Sequence, residues 1–180
     1  DAAIATAFAL AVTHPAAGNL GGGGFIVAYL ADRREVVTVD FRETAPAAAT
    51  PTMYLDANGK LLPRHRAGPR AAAVPGTVRG LALARDRFGK LAWAELVRPA
   101  AALAREGFEI STPLARSLNA QLFAEDPRDR ARDDLGAQPE RLADFPASAA
   151  AYRKPDGSRW QAGDRLALPD LAATLDRIAA

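Results

Sequence analysis

The segment with the clearest potential for binding chemistry is DFRETAP, residues 40–46. Arg42 follows residues 36–41, an apolar and β-branched run that predicts a strand, so it stands where a strand passes into a loop. Such loops concentrate binding residues, and a guanidinium there can hold a carboxylate through two parallel hydrogen bonds. The alternative is a surface ion pair with Asp40 or Glu43, which would contribute little. The local residues alone favour that alternative.

Four consecutive glycines at residues 21–24 are a second candidate, for phosphate binding. Phosphate loops place their glycines after a strand and before a helix, so that the helix N-terminus meets the anion. Here the glycines follow a predicted helix and precede a predicted strand, and no Gly-Lys-Ser/Thr ending is present. The pattern therefore favours close backbone packing at a sharp turn.

The remaining candidates for chemistry are weaker. His14 precedes Pro15, which favours a helix-terminal or core histidine over a general base. A basic cluster in the central loop favours a solvated surface over an anion site; its members are Arg64, His65, Arg66 and Arg70. There is no Gly-x-Ser-x-Gly elbow, and no serine or threonine has a base defined by its sequence pattern.

The elements that must position these residues follow from periodicity. Ile4, Phe8 and Val12 recur at helical spacing after Asp1, a residue type that can cap a helix. Apolar runs at residues 25–30 and 36–41 predict a β-hairpin. We expect loop over residues 42–75, an exposed loop over 126–139, and further helices over 77–88, 93–105, 113–123 and 166–178. This order predicts an α+β fold with helices on one face of an antiparallel sheet.

Composition excludes several classes of protein. The 180 residues carry a net charge of +2, too small for a strongly electrostatic nucleic-acid binder. Cysteine is absent and only two histidines occur, which excludes disulfides, a cysteine nucleophile and a His-rich metal site. The longest apolar stretch is too short to span a bilayer. Leu, Ile, Val and Phe total only 39 residues. This thin core, and helical patterns that reach both ends, lead us to expect part of something larger.

Four motifs, taken in order, go beyond these local signals. They are AVTHPAAGNLGGGGF at residues 11–25, DFRETAP at 40–46, VPGTVRG at 74–80 and RPAAALAREGF at 98–108. Together they closely resemble the N-terminal half of the large subunit of the γ-glutamyltranspeptidases, also called glutathione hydrolases. The resemblance is strongest over residues 1–125 and weakens after that.

This resemblance implies an N-terminal-nucleophile hydrolase αββα sandwich, of which the chain is an incomplete part: residues 1–180 of a large subunit. Such enzymes hydrolyse glutathione and other γ-glutamyl amides, or pass the γ-glutamyl group to amino acids or peptides. The nucleophile is the N-terminal threonine of the small subunit, its partner, with the α-amino group as base. The resemblance also implies no cofactor or metal and a periplasmic or secreted location. Without the small subunit, we expect this chain to be inactive.

The resemblance changes the interpretation of Arg42. In the family the arginine of this motif binds the α-carboxylate of the γ-glutamyl group, so the resemblance implies that role for Arg42. No catalytic residue is expected in this chain. Two alternatives remain open. One is a related amidase, either a cephalosporin acylase or a poly-γ-glutamate-processing enzyme. The other is a non-catalytic binding module of the same fold.

Overall fold

The structure is a computed structural model, and it describes residues 1–62, 68–123 and 141–180. The loop predicted over residues 126–139 and three of the four residues of the basic cluster lie outside this part of the chain. The helices of the described residues are α1 (Ala2–Thr13), α2 (Thr77–Phe88), α3 (Trp93–Glu106), α4 (Thr112–Leu122), α5 (Pro146–Tyr152) and α6 (Pro169–Ala179). The strands are β1 (Phe25–Leu30), β2 (Glu35–Asp40), β3 (Phe108–Glu109) and β4 (Arg165–Leu166). A single 3₁₀ turn spans Leu142–Asp144.

Helices α1, α3 and α6 form the centre of the core. The apolar positions predicted for α1 are buried, as expected for one face of an amphipathic helix. The Phe8 ring packs edge to face against Trp93 with centroids 5.4 Å apart, a favourable aromatic geometry. Leu96 and Val97 of α3 and Leu175 of α6 are also almost completely buried. These three helices contain the largest fully buried side chains of the described residues.

Asp1 occupies the N-cap position of α1, but its carboxylate does not cap that helix. The carboxylate accepts hydrogen bonds from the backbone N–H groups of Lys90, at 3.0 Å, and Leu91, at 3.4 Å. The expected local cap is therefore replaced by a long-range contact to the connection between α2 and α3. Since the donors lie about ninety positions away, tertiary packing decides which N–H groups Asp1 meets.

The C-terminal region differs from the prediction in two places. Leu166 belongs to β4, which pairs antiparallel with β3, so the last helix begins at Pro169 and not at residue 166. Leu166 and Leu168 are buried while Ala167 between them is exposed, which is the two-residue alternation of a strand. Proline at the first helical position then opens α6. Helix α5 was not predicted; it too starts at a proline and is rich in alanine.

Strands β1 and β2 form the predicted antiparallel hairpin, with Phe25 opposite Asp40 and Leu30 opposite Glu35. Val39 on the inner face is buried, whereas the outer face exposes a row of large apolar side chains. Phe25, Val27 and Tyr29 are 60%, 71% and 63% exposed. The described residues thus form two separate two-stranded sheets rather than the single helix-covered sheet that we expected.

Candidate functional site

The backbone on both sides of Arg42 is tied down. Strand β2 ends at Asp40, and the Phe41 N–H then donates to the carbonyl of Gly24 at 3.0 Å, which continues the hairpin by one residue. The Arg42 N–H donates to the Asp40 carboxylate at 2.9 Å. Beyond Arg42, Thr44 and Val74 form an antiparallel bridge through two backbone hydrogen bonds of 3.2 and 2.9 Å. Arg42 is therefore carried by a braced loop and not by a free one.

The Arg42 side chain is exposed. Its guanidinium makes no hydrogen bond or ion pair with any residue in the described ranges 1–62, 68–123 and 141–180. The surface pair with Asp40 or Glu43, which the sequence left open, is not formed. The Asp40 carboxylate instead accepts the backbone N–H of Arg42. The guanidinium is thus available to a carboxylate from outside this chain.

Phe41, the residue before Arg42, is in close contact with two pairs of glycines. We call them the two glycine walls: Gly23 with Gly24, and Gly76 with Gly80. On one side, a Cβ added at Gly23 would lie 2.6 Å from the Phe41 carbonyl oxygen, and one at Gly24 would lie 3.1 Å from the ring. On the other side, a Cβ at Gly76 would lie 2.0 Å from the same oxygen, and one at Gly80 would lie 2.2 Å from the Phe41 Cβ. A side chain at Gly23 or Gly76 would displace the peptide that leads into Arg42, and one at Gly80 would displace the Phe41 side chain.

Hydrogen bonds join these two walls. The N–H groups of Gly76 and Thr77 both donate to the Gly22 carbonyl, at 2.8 and 3.0 Å. The side-chain oxygen of Asn19 accepts the Gly22 N–H at 3.0 Å and the Thr77 hydroxyl at 2.6 Å. The close-packing interpretation of the glycine run is confirmed at residues 22–24, whereas a Cβ at Gly21 would meet open space.

Sequence reasoning missed Asn19 and Thr77. They lie 58 positions apart, so no local spacing relates them. Thr77 is also the only polar or charged residue that is buried among the described parts of the chain. A threonine at the start of a predicted helix is an ordinary helix-starting residue, and the sequence offered no sign that its hydroxyl bonds a distant asparagine.

The other candidates stay outside this site. His14 ends α1, its N–H donates to the Leu10 carbonyl, and its side chain is exposed, which confirms the helix-terminal interpretation. Arg70 is the one member of the basic cluster that the structure describes, and its carbonyl accepts the Tyr54 hydroxyl. The described residues contain no group of three or more metal-ligating side chains. None of their helices is long and apolar enough to cross a membrane.

The clear pKa shifts occur elsewhere, at the end of α5 and in the loop between α5 and β4. The Gln161 N–H and the Lys154 ammonium both bond the Asp164 carboxylate, and they lower its pKa. The Ser158 N–H lowers the pKa of Asp156 in the same way, whereas burial raises the pKa of Tyr152. The two aspartate shifts belong to a loop held together by its own hydrogen bonds, and none of the three groups lies next to Arg42 in the sequence.

Solved structures place this architecture among the N-terminal-nucleophile hydrolases. The chain matches the crystal structure of Helicobacter pylori gamma-glutamyltranspeptidase with a TM-score of 0.84 and 39% identity, covering 99% of this chain and 46% of that one. It matches cephalosporin acylase from Bacillus halodurans with a TM-score of 0.75 and 26% identity, covering 99% of this chain and 30% of that one. The expected fold class, the αββα sandwich of these enzymes, is therefore confirmed, and the described residues supply part of it.

The sequence comparisons identify the family. Residues 1–180 match the profile of the gamma-glutamyltranspeptidases. The glutathione hydrolase proenzyme of Pseudomonas aeruginosa is 42% identical over 180 residues, which is 99% of this chain and 28% of that protein. The chain belongs to the gamma-glutamyltranspeptidase family, as the four motifs indicated. It spans about 28% of the length of that curated relative.

Proposed function

We propose that this chain supplies the α-carboxylate site of an enzyme that hydrolyses glutathione and other γ-glutamyl amides, and that passes the γ-glutamyl group to water or to amino acid and peptide acceptors. One observation carries the proposal. The family's arginine motif presents Arg42 on a loop braced from both sides, as an exposed guanidinium without a partner among the described residues. Family membership supplies the class of reaction.

The chemistry of this role is positional. A guanidinium binds a carboxylate through two parallel hydrogen bonds, which fix both the place and the orientation of the substrate. With the α-carboxylate held at Arg42, the γ-carbonyl lies at a set distance from the nucleophile, and such positioning is a large part of catalysis. We assign the nucleophile to the N-terminal threonine of a small subunit, activated by its own α-amino group. Residues 1–180 would then be part of the large subunit.

The hairpin supports the proposal that a partner covers this side of the chain. Phe25, Val27 and Tyr29 form a row of exposed apolar side chains, and contiguous apolar surface of this kind marks interaction sites. Asp40, opposite Phe25 at the end of that row, is two residues before Arg42. The covering surface would therefore come close to the carboxylate site. A periplasmic or secreted location is part of the same proposal.

Replacing Arg42 tests the function. In the full-length protein, Arg42→Ala should raise KM for a γ-glutamyl anilide by roughly 10- to 100-fold, because a charged hydrogen-bonding partner of the substrate is lost. The matched control is Arg116→Ala, which removes an exposed arginine from α4. That variant should keep the wild-type KM. An Arg42→Ala enzyme with unchanged KM would refute the assigned role.

A related amidase is the second candidate, since the chain shares its fold with a cephalosporin acylase. Turnover of glutaryl and poly-γ-glutamate substrates, compared with a γ-glutamyl anilide, separates these activities. A non-catalytic module is distinguished by intact mass spectrometry of the purified full-length protein. The hydrolase reading requires a second polypeptide that begins with threonine, and a single unprocessed polypeptide would favour the module.

A further inference from the structure

We propose that Asn19 and Thr77 are positioning residues for Arg42, acting through the hydrogen bond between their side chains. This inference rests on the proposed role of Arg42 in carboxylate binding. It assigns to a buried hydroxyl, remote from the substrate, a share of the enzyme's selectivity for substrates that carry an α-carboxylate.

The first step of the argument is how Arg42 is held. The peptide linking Phe41 to Arg42 has its carbonyl oxygen against both Gly23 and Gly76, where added Cβ atoms would lie 2.6 and 2.0 Å away. The position of this peptide is therefore set by the gap between the glycine run and the start of α2. If the gap widens, the peptide gains freedom, and the Arg42 side chain moves with it.

The second step is what sets the width of that gap. The Gly22 carbonyl oxygen accepts hydrogen bonds from the backbone N–H groups of Gly76 and Thr77, so backbone hydrogen bonds already join the two walls. Asn19 adds a bridge, because its single side-chain oxygen accepts the Gly22 N–H and the Thr77 hydroxyl together. One oxygen thus connects the glycine run to the first residue of α2.

The third step is that this bridge joins distant parts of the chain. Two other threonine hydroxyls of the described residues bond local carbonyls, Thr13 that of Ala9 and Thr174 that of Asp170. The Thr77 hydroxyl instead reaches a side chain 58 positions away, and Thr77 is 6% exposed. A partly buried hydrogen bond that joins the two walls around the Phe41 peptide restricts the loop that bears the guanidinium. Small misplacements of such a group are costly in catalysis.

The test measures selectivity in the full-length protein. Two anilides are compared, γ-glutamyl and 4-aminobutyryl, which is the same acyl group without its α-carboxylate. Thr77→Val keeps the shape and removes the hydroxyl. We expect the ratio of kcat/KM values, γ-glutamyl over 4-aminobutyryl, to fall roughly three- to tenfold, mainly through KM of the γ-glutamyl substrate, as for one hydrogen bond. Thr77→Ser should restore the ratio, because serine keeps the hydroxyl.

Thr13→Val is the matched control, since it removes a half-buried hydroxyl bond within α1 and touches neither wall. This variant should keep the wild-type ratio. If Thr77→Val slows both substrates equally, its role is structural only and the inference is overturned. An unchanged ratio overturns it as well. If Thr77→Val does not fold, Asn19→Ala removes the same bond from its exposed side, and the same two outcomes apply.

Arg42→Ala in the same assay separates this inference from the proposed function. If Arg42→Ala abolishes the selectivity and Thr77→Val leaves it intact, only the positioning inference fails. If Arg42→Ala leaves the selectivity unchanged, the proposed function fails, and the positioning inference fails with it.

Discussion

The helical layer and the hairpin layer of this chain are stabilised in different ways. In the helical layer, α3 packs against both α1 and α6, and Phe8, Val97 and Leu175 have no exposed surface. In the hairpin layer, the outer face of β1 and β2 is open, and Val27 is 71% exposed. Backbone contacts among glycines hold that layer to α2 instead.

This difference separates the side chains that stabilise the fold from the loop that bears Arg42, for which we propose carboxylate binding. Side chains that fill a shared core contribute most to folding, since each buried aliphatic group is removed from water. The Arg42 loop depends much less on side-chain burial and more on short backbone distances at Gly23 and Gly76. These short distances restrict the backbone of the Arg42 loop, while the Arg42 guanidinium stays exposed. The Arg42 loop is therefore held in place although the guanidinium has no partner among the described residues.

The largest effect should come from emptying the helical core. Leu175→Ala leaves a cavity on the buried face of α6, which packs against α3, and should lower the free energy of unfolding by about 2–5 kcal/mol. The control is Leu83→Ala on α2, where the side chain is 38% exposed and the loss should be below about 1 kcal/mol. Denaturant titration of both full-length variants measures the difference. Equal losses would mean that the helical layer does not carry the stability.

A smaller loss of stability should come from the glycine walls. Gly76→Ala places a methyl group 2.0 Å from the Phe41 carbonyl oxygen, so backbone must shift, at a cost of about 1–3 kcal/mol. Because the shifted peptide leads to Arg42, KM for a γ-glutamyl anilide should rise too. Gly21→Ala is the control, since its methyl group meets open space and should change neither quantity. If Gly76→Ala changes neither the stability nor KM, close packing at the glycines does not hold the Arg42 loop, and the contrast between the two layers is wrong.

The smallest effect is a pH dependence in the loop before β4. The pKa of Asp164 lies below its usual 3.8, because Gln161 and Lys154 bond the charged carboxylate. The folded state thus favours the ionised form, so this stabilisation is present above pH 3.8 and is lost as pH falls through the lowered pKa. Asp164→Asn should lower Tm at pH 6, and its difference from wild type should shrink toward pH 3. A constant difference would contradict this cause.

Most of the fold could be predicted from local patterns. Helices α2 to α4 lie within one residue of their predicted bounds, and so does the hairpin, because periodicity, proline and glycine act on neighbouring residues. Besides the missed helix α5, two differences occurred where distant partners decide. Leu166 joins β4 because β3 is there to pair with it. Asp1 bonds Lys90 because the connection between α2 and α3 passes over the start of α1.

The candidate site, too, could be predicted from the sequence only in part. The sequence by itself determined the family, through four motifs in order, and drew attention to Arg42 as a residue for carboxylate binding; that role remains a prediction. Only the tertiary structure decided that the guanidinium is unpaired within the described residues, that glycines enclose the preceding peptide, and that Asn19 meets Thr77. Motifs record residue types along the chain, whereas a hydrogen bond across 58 positions exists only after folding brings its two ends together.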